Sequence, residues 1–205
     1  MATTKIWPVR GWLGQVVDYA ANPDKTGNAE HLPGSGKSDM AVLWDVMAYA
    51  TRPSATEMKY YVTGINCVPV IARQQMTLTK TRYGKVGGIV AFHAYQSFAP
   101  GEVTPRQAHS IGTELARRLW GSRFEIVVAT HLDKEHIHCH FVINSVSFKD
   151  GKRYNDCKAT YREFREMSDR ICLEQRLSVI KNPSPTHTPR SIYMAEKEGK
   201  LTLYK

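Results

Sequence analysis

The chain has 205 residues and carries 28 Lys+Arg against 19 Asp+Glu, a formal net charge of +9. That length suits one domain, or one domain with a tail, and the basic balance favours a polyanionic partner, nucleic acid ahead of a membrane surface. No apolar run approaches the ~20 residues that cross a bilayer, and the first seven residues, MATTKIW, lack the apolar core of a secretory signal.

In chain order, residues 6–9 read as a short first strand. Trp12, Leu13, Val16, Val17 and Ala20 recur at helical spacing until Asn22-Pro23 ends the pattern. A loop over 31–37 leads to a second helix over 38–49, with Ser38 as N-cap and Arg52-Pro53 as its stop. Residues 60–65 read as a strand, 69–78 as a helix and 89–98 as a strand entered through Gly87-Gly88. Thr104-Pro105 opens a helix that runs to Trp120, with Thr as N-cap and Pro in the first helical position. Residues 124–130 and 137–146 read as two strands joined by the turn Asp133-Lys134-Glu135, and 160–177 as an amphipathic helix. Pro183, Pro185 and Pro189 break any pattern after Lys181. Cys67, Cys139, Cys157 and Cys172 lack paired C-x-x-C spacing, the usage of reduced thiols in a cytoplasmic protein.

The most informative stretch is residues 130–144, THLDKEHIHCHFVIN, which puts four of the eight histidines into ten residues. His136, His138 and His140 alternate with Ile137 and Cys139, so an extended strand turns all three to one face. Side-by-side imidazoles repel once charged, and a bound cation resolves that conflict. A hairpin between the two strands brings His131 back beside His138 and His140. Three converging imidazoles leave coordination positions open, which is a catalytic rather than a closed structural arrangement. His136 is then a fourth ligand, an outer group or a proton acceptor, and Asp133 either orients a histidine through its N–H or simply forms the turn. The stretch Gly34-Ser35-Gly36-Lys37-Ser38 is a loop and helix cap, because His31 stands where a phosphate loop needs its first glycine.

The pattern H-x-D-x-x-H-x-H-x-H, followed by an apolar triplet and Asn144, resembles the third motif of the mobilization-type conjugative relaxases. These belong to the histidine–hydrophobe–histidine endonuclease superfamily. His93-x-x-Gln96-Ser97-Phe98 resembles the second motif, and Asp18-Tyr19-x-x-Asn22-Pro23-x-Lys25-Thr26 the first. The three occur in the family's order and cover residues 7–177.

The resemblance implies a metal-dependent enzyme that nicks one strand of a transfer origin, presented as single-stranded or hairpin DNA. A tyrosine hydroxyl attacks the phosphodiester, leaving a 5′-phosphotyrosine link and a free 3′-hydroxyl, and the reverse step rejoins the strand. A phenol of pKa ~10 needs a base or a nearby cation to do this at neutral pH. Alignment on Asn144 implies His131, His138 and His140 as metal ligands, with His136 and Asp133 activating or orienting Tyr19. Exchanging His131 and His136 between these roles is the alternative. Tyr49, in a similar Ala-Tyr-Ala-x-Arg-Pro context, rivals Tyr19 as nucleophile, and a histidine nucleophile would be His31 or His136. The family expectation is one Mg²⁺ or Mn²⁺, although an imidazole set accepts Zn²⁺, Ni²⁺ or Cu²⁺ equally well.

Gln96 and Ser97 are candidate phosphate contacts, Ser97 otherwise capping a strand end. Lys25, Arg73, Lys80, Arg82 and Lys85 form a basic stretch with Tyr83 suited to tracking a single strand; as isolated charges they are ordinary solvated residues. The resemblance also implies a coupling protein and accessory origin-binding proteins as partners, and no membrane. A hydrolase that activates water, with Glu135 as base, and a non-catalytic origin-binding module are the other classes. A rolling-circle initiator would share the histidine pair and tyrosine but not the His131-x-Asp133 arrangement. The expected fold is α+β, a central antiparallel sheet of about five strands flanked by helices. Residues 1–180 form the nicking domain, and 181–205 a proline-containing extension or linker to absent domains.

Overall fold

The computed structural model describes residues 2–10, 43, 46–48, 50–51, 61–132 and 135–180. The expected helix after residue 12, the loop at 31–37, Tyr19, Lys25, Tyr49, Asp133 and the 181–205 extension lie outside them. Five strands make one antiparallel sheet: β1 (Thr3–Arg10), β2 (Val62–Ile65), β3 (Ile89–Ser97), β4 (Ile126–His131) and β5 (His138–Asn144). Their order is β1-β3-β5-β4-β2, so β5 is the central strand. Among the described residues, three helices have defined bounds, α1 (Ala72–Arg82), α2 (Pro105–Trp120) and α3 (Lys158–Glu174), and a short 3-10 turn (Pro69–Ile71) precedes α1. The α+β architecture of a central five-stranded sheet is therefore as expected.

Alternation divides the sheet into two faces. Ile6, Phe92, Ala94, Cys139, Phe141, Ile143, Ile126 and Val128 point to one face, where they form a core with Leu115 and Trp120 of α2 and Phe164 and Ile171 of α3. Val9, Ala91, Val142, Val127 and Ala129 point to the other and pack with Leu43, Val46, Met47 and Ala50, helical residues of the expected second helix, and with Ala72 and Met76 of α1. This second core covers one end of its face. The histidines occupy the other end.

The helices follow from local chemistry. Thr104 caps α2 as read from the sequence: its side chain accepts from Gln107 N–H while the Gln107 side chain accepts from Thr104 N–H, and Pro105 follows. By contrast, α1 begins later and ends later than its sequence pattern suggests. Its buried stripe is Ala72, Met76 and Lys80, and the Lys80 ammonium donates to Val90 O at 2.6 Å, so a charged residue sits where an apolar one would mark the face.

α2 approaches β5 closely at Gly112. A Cβ there would lie 2.7 Å from Cys139 Sγ and 2.9 Å from Cys139 Cβ. Cys139 stands between His138 and His140 but points away from them; its thiol donates to Ala108 O at 3.2 Å, and burial pushes its pKa up to about 12. Gly112→Ala gains up to about 1 kcal/mol of helix propensity but overpacks a site with no room to yield, so a net loss of about 1–2 kcal/mol is expected in denaturant unfolding. Adding Cys139→Ala removes the Sγ contact but keeps the Cβ at 2.9 Å, so it should restore only part of the loss, which a double-mutant cycle measures.

Candidate metal centre on the sheet face

Hairpin register builds the site. β4 and β5 pair antiparallel with His131 opposite His138 and Ala129 opposite His140. All three histidines lie on the face away from α2 and α3, with ring centroids 4.2 Å apart for His131–His140, 4.9 Å for His138–His140 and 5.1 Å for His131–His138. One ring nitrogen from each falls within 4.8 Å of the others, a grouping that fits one ion. The sequence-derived ligand set is thus brought together.

Hydrogen bonds set the tautomers of two rings. A carbonyl only accepts, so His131 Nε2–H donates to Ala50 O at 2.8 Å and His138 Nδ1–H donates to His136 O at 2.8 Å. In a neutral imidazole the lone pair then belongs to the other nitrogen, Nδ1 of His131 and Nε2 of His138. His140 Nδ1 meets His93 Nε2 at 2.9 Å. In their neutral forms the three imidazoles present nitrogens oriented by the protein, the arrangement by which proteins hold a divalent transition ion. His131, His138 and His140 would hold it; zinc, manganese, nickel and copper all accept such nitrogens.

His93 gained no role from its sequence motif, yet it is 2% exposed and bonded to a ligand. Burial, and then repulsion from His131 whenever that ring is protonated, push its pKa down to about 3, so it is neutral at working pH. Trp7 covers it, the ring centroids 4.6 Å apart. The link appears only once β3 pairs with β5, which puts His93 on the same face as His140, two register steps away.

The other expected site residues separate. Ser97 pairs with His138 across β3 and β5 and shares its face. Gln96 is a correction: its opposite parity buries it completely, and its amide donates to Ser168 Oγ of α3 at 2.8 Å, out of reach of any phosphate. His136 precedes β5 and is exposed, with Nδ1 3.4 Å from Phe98 O, and it is not part of the three-nitrogen group. Arg82 is exposed and stacks over Tyr83 at 5.6 Å, while the Lys85 ammonium donates to Gly151 O at 2.6 Å. Both lie near the start of β3, and the seven residues His138–Asn144 put roughly 20 Å between that end and His138. Lys80 of the same basic stretch is buried, its ammonium spent on Val90 O.

Comparison with known proteins places this geometry in context. A family model described as the MobA/VirD2-like relaxase nuclease domain matches residues 49–177, well over half of the chain. A protein named Rlx from Staphylococcus aureus is 42% identical over 119 residues, 58% of this chain and 38% of the relative. A second Rlx protein from that species is 33% identical over 140 residues, 68% of this chain and 42% of the relative. The group II intron-interrupted relaxase LtrB of Lactococcus lactis is 26% identical over 211 residues, 92% of this chain and 36% of that protein. The chain thus spans about two fifths of these relatives' length. Among solved structures, the manganese-bound MobM relaxase domain in complex with plasmid pMV158 oriT DNA superposes with a TM-score of 0.53 at 10% identity, covering 95% of this chain and 98% of that one. A structure from work on vancomycin resistance transfer in Staphylococcus aureus gives 0.53 at 12% identity, covering 87% of this chain and 96% of that one. At such identities the likeness is one of fold.

Replacing His93 by Phe keeps the volume and burial but removes the group that meets His140 Nδ1. Mn²⁺ affinity measured by calorimetry should fall about 10–100-fold with the circular dichroism spectrum unchanged; an unaltered affinity would mean that His93 does not orient His140.

Proposed function

This chain belongs to the MobA/VirD2-like relaxase nuclease domains, and from that premise we propose that it nicks and rejoins one strand of a transfer origin through a covalent phosphotyrosine. The observation that carries the reading is the grouping of His131, His138 and His140 on one sheet face, with Ser97 beside them. The related MobM domain was captured with manganese and oriT DNA. A single-stranded or hairpin origin is accordingly the proposed substrate, and Mg²⁺ or Mn²⁺ the proposed ion. Coupling and accessory origin-binding proteins would act on the full-length protein.

A divalent ion on these nitrogens would polarise the non-bridging oxygens of the scissile phosphate. The chain's own residues supply the rest. The Tyr19 oxygen bonds to phosphorus as the bond from phosphorus to the 3′-oxygen breaks; the phenolic proton leaves, and the departing 3′-oxygen gains one. His136, exposed beside the group, and Asp133 are the proposed acceptor and orienting pair. Ser97 contributes a hydroxyl for a phosphate oxygen. Lys25, Arg82 and Lys85 are proposed to steady DNA away from the chemistry.

Tyr49 is the rival nucleophile, and it gains weight from position: it precedes Ala50, whose carbonyl touches His131. Among the described residues no helix is long and apolar enough to cross a membrane.

The test is cleavage of a single-stranded oligonucleotide library with Mn²⁺, resolved on a denaturing gel for protein-linked DNA. Tyr19→Phe should abolish the linked band, and His138→Ala should lower cleavage by about 10²-fold or more. A linked band surviving Tyr19→Phe but lost in Tyr49→Phe moves the nucleophile to Tyr49. Cleavage without any linked band would replace this reading with a water-activating nuclease.

A further inference from the structure

The face that holds the histidines also carries aromatic side chains that the second core does not absorb. In register across the sheet, Lys5 of β1 pairs with Tyr95 of β3, and Tyr95 pairs with His140 of β5. Two residues along, on the same face, Trp7 lies opposite His93. Trp7 and Tyr95 meet edge to face with centroids 6.0 Å apart, and the Lys5 ammonium stands 5.8 Å from the Trp7 ring. Both rings are half-buried and Lys5 is exposed, whereas the large aromatics of the opposite face, such as Phe92, Phe141 and Trp120, are enclosed. Among the described residues, the principal neighbours of β1 are β3 and α3, and α3 lies on the opposite face.

We propose that Trp7 and Tyr95, flanked by Lys5, form a stacking platform for one nucleobase of single-stranded DNA, within one or two nucleotides of the phosphate at the histidines. The inference rests on the nicking function proposed above and goes beyond it by assigning a base-binding site. Directly paired side chains on one face stand about 4.5–5.5 Å apart at Cβ, so Tyr95 adjoins His140 and Trp7 sits one diagonal further. A strand whose phosphate meets the histidines must lay its neighbouring base over this part of the sheet or over β4. On β4 the described residues of that face beyond His131 are Ala129 and Val127, both packed in the second core. The aromatic side therefore takes the base. A π-face next to a cation suits single-stranded nucleic acid, because every base can stack while the ammonium answers a phosphate. A duplex would hide the base faces that these rings need.

The platform is tested on an oligonucleotide that the wild-type protein cleaves, by fluorescence anisotropy in Mn²⁺ with the label at the 5′ end. Trp7→Ala should weaken binding by about 5- to 150-fold, the range for loss of one stacked base, and Trp7→Phe should stay within about threefold of wild type. A scan of single abasic sites along the oligonucleotide should find one position that weakens wild-type binding to a similar degree. That same abasic site should cost nothing further in Trp7→Ala. Because Trp7 also covers His93, Mn²⁺ affinity is measured in parallel and DNA binding is compared at Mn²⁺ concentrations that saturate each variant. Losses that add at every abasic position, or a Trp7→Ala defect confined to Mn²⁺ affinity, overturn the platform and leave Trp7 as packing for His93. Wild-type protein that cleaves no oligonucleotide removes the nicking function and the platform together, whereas normal cleavage with indifferent Trp7→Ala and Tyr95→Ala variants removes the platform alone.

Discussion

β5 is hydrogen-bonded along both edges, to β3 on one side and to β4 on the other, and its register decides what the protein can do. Side-chain period in a strand is two, so a slip of one residue would exchange the faces: Cys139 and Phe141 would meet solvent while His138 and His140 entered the apolar core. Several contacts hold the register. Cys139 seats against Gly112 of α2, Phe141 meets Trp120 and Phe164 edge-on, and Asn144 at the far end donates to Glu125 Oε2 at 2.9 Å and to Met76 O at 3.2 Å. The bond to Met76 is itself at the margin of a good hydrogen bond. Together they pin one end of β5 to α1 and β4 and leave the histidine end to point where the second core stops.

A cluster of buried imidazoles is tolerable only if the rings stay neutral. Burial disfavours the charged form, and each neighbouring ring would repel a second proton. His93 expresses both effects. Neutrality carries a chemical consequence, since a neutral ring that donates one N–H to a carbonyl must present a lone pair at its other nitrogen. Ala50 O and His136 O thereby do more than satisfy hydrogen bonds: they choose which atoms of His131 and His138 face outward. The second helix matters to the site for this reason, as it supplies the carbonyl that orients His131.

Much of this was legible in the sequence, and what was not has physical causes. Alternation through His138–Cys139–His140 and a tight hairpin were enough to group His131 with His138 and His140, because both rules are local. The Thr104-Pro105 helix start is likewise local chemistry. Gln96 departs from its motif neighbour because strand parity alone forbids Gln96 and Ser97 from sharing a face, and the Ser168 hydroxyl that holds Gln96 comes from 72 residues away. The basic run ending at Lys85 lies away from the histidines for a related reason, since neighbours in sequence diverge in space when a helix leads away from the site. Lys80 also disguised the buried stripe of α1. The role of His93 needed the pairing of β3 with β5, a long-range fact that no window of sequence contains.

The donor set bears on substrate as well as on metal. Carboxylate ligands would cancel part of a divalent ion's charge, whereas three neutral imidazoles leave it whole, so the strongest positive charge on this face would sit at the histidines themselves. That suits a substrate whose every unit carries a negative charge. It also relieves the surrounding protein of the need for a dense cationic wall, and the described basic side chains are accordingly sparse near the site, with Lys5 to one side and Arg82 and Lys85 at the distant end of the sheet. A surface with its charge concentrated at one point, aromatic rings beside it and dispersed lysines and arginines beyond would grip a phosphate at the centre and let the rest of the strand follow. Such a distribution favours a flexible single strand over a rigid duplex, because only the former can bend its bases onto Trp7 while its backbone dips to His140.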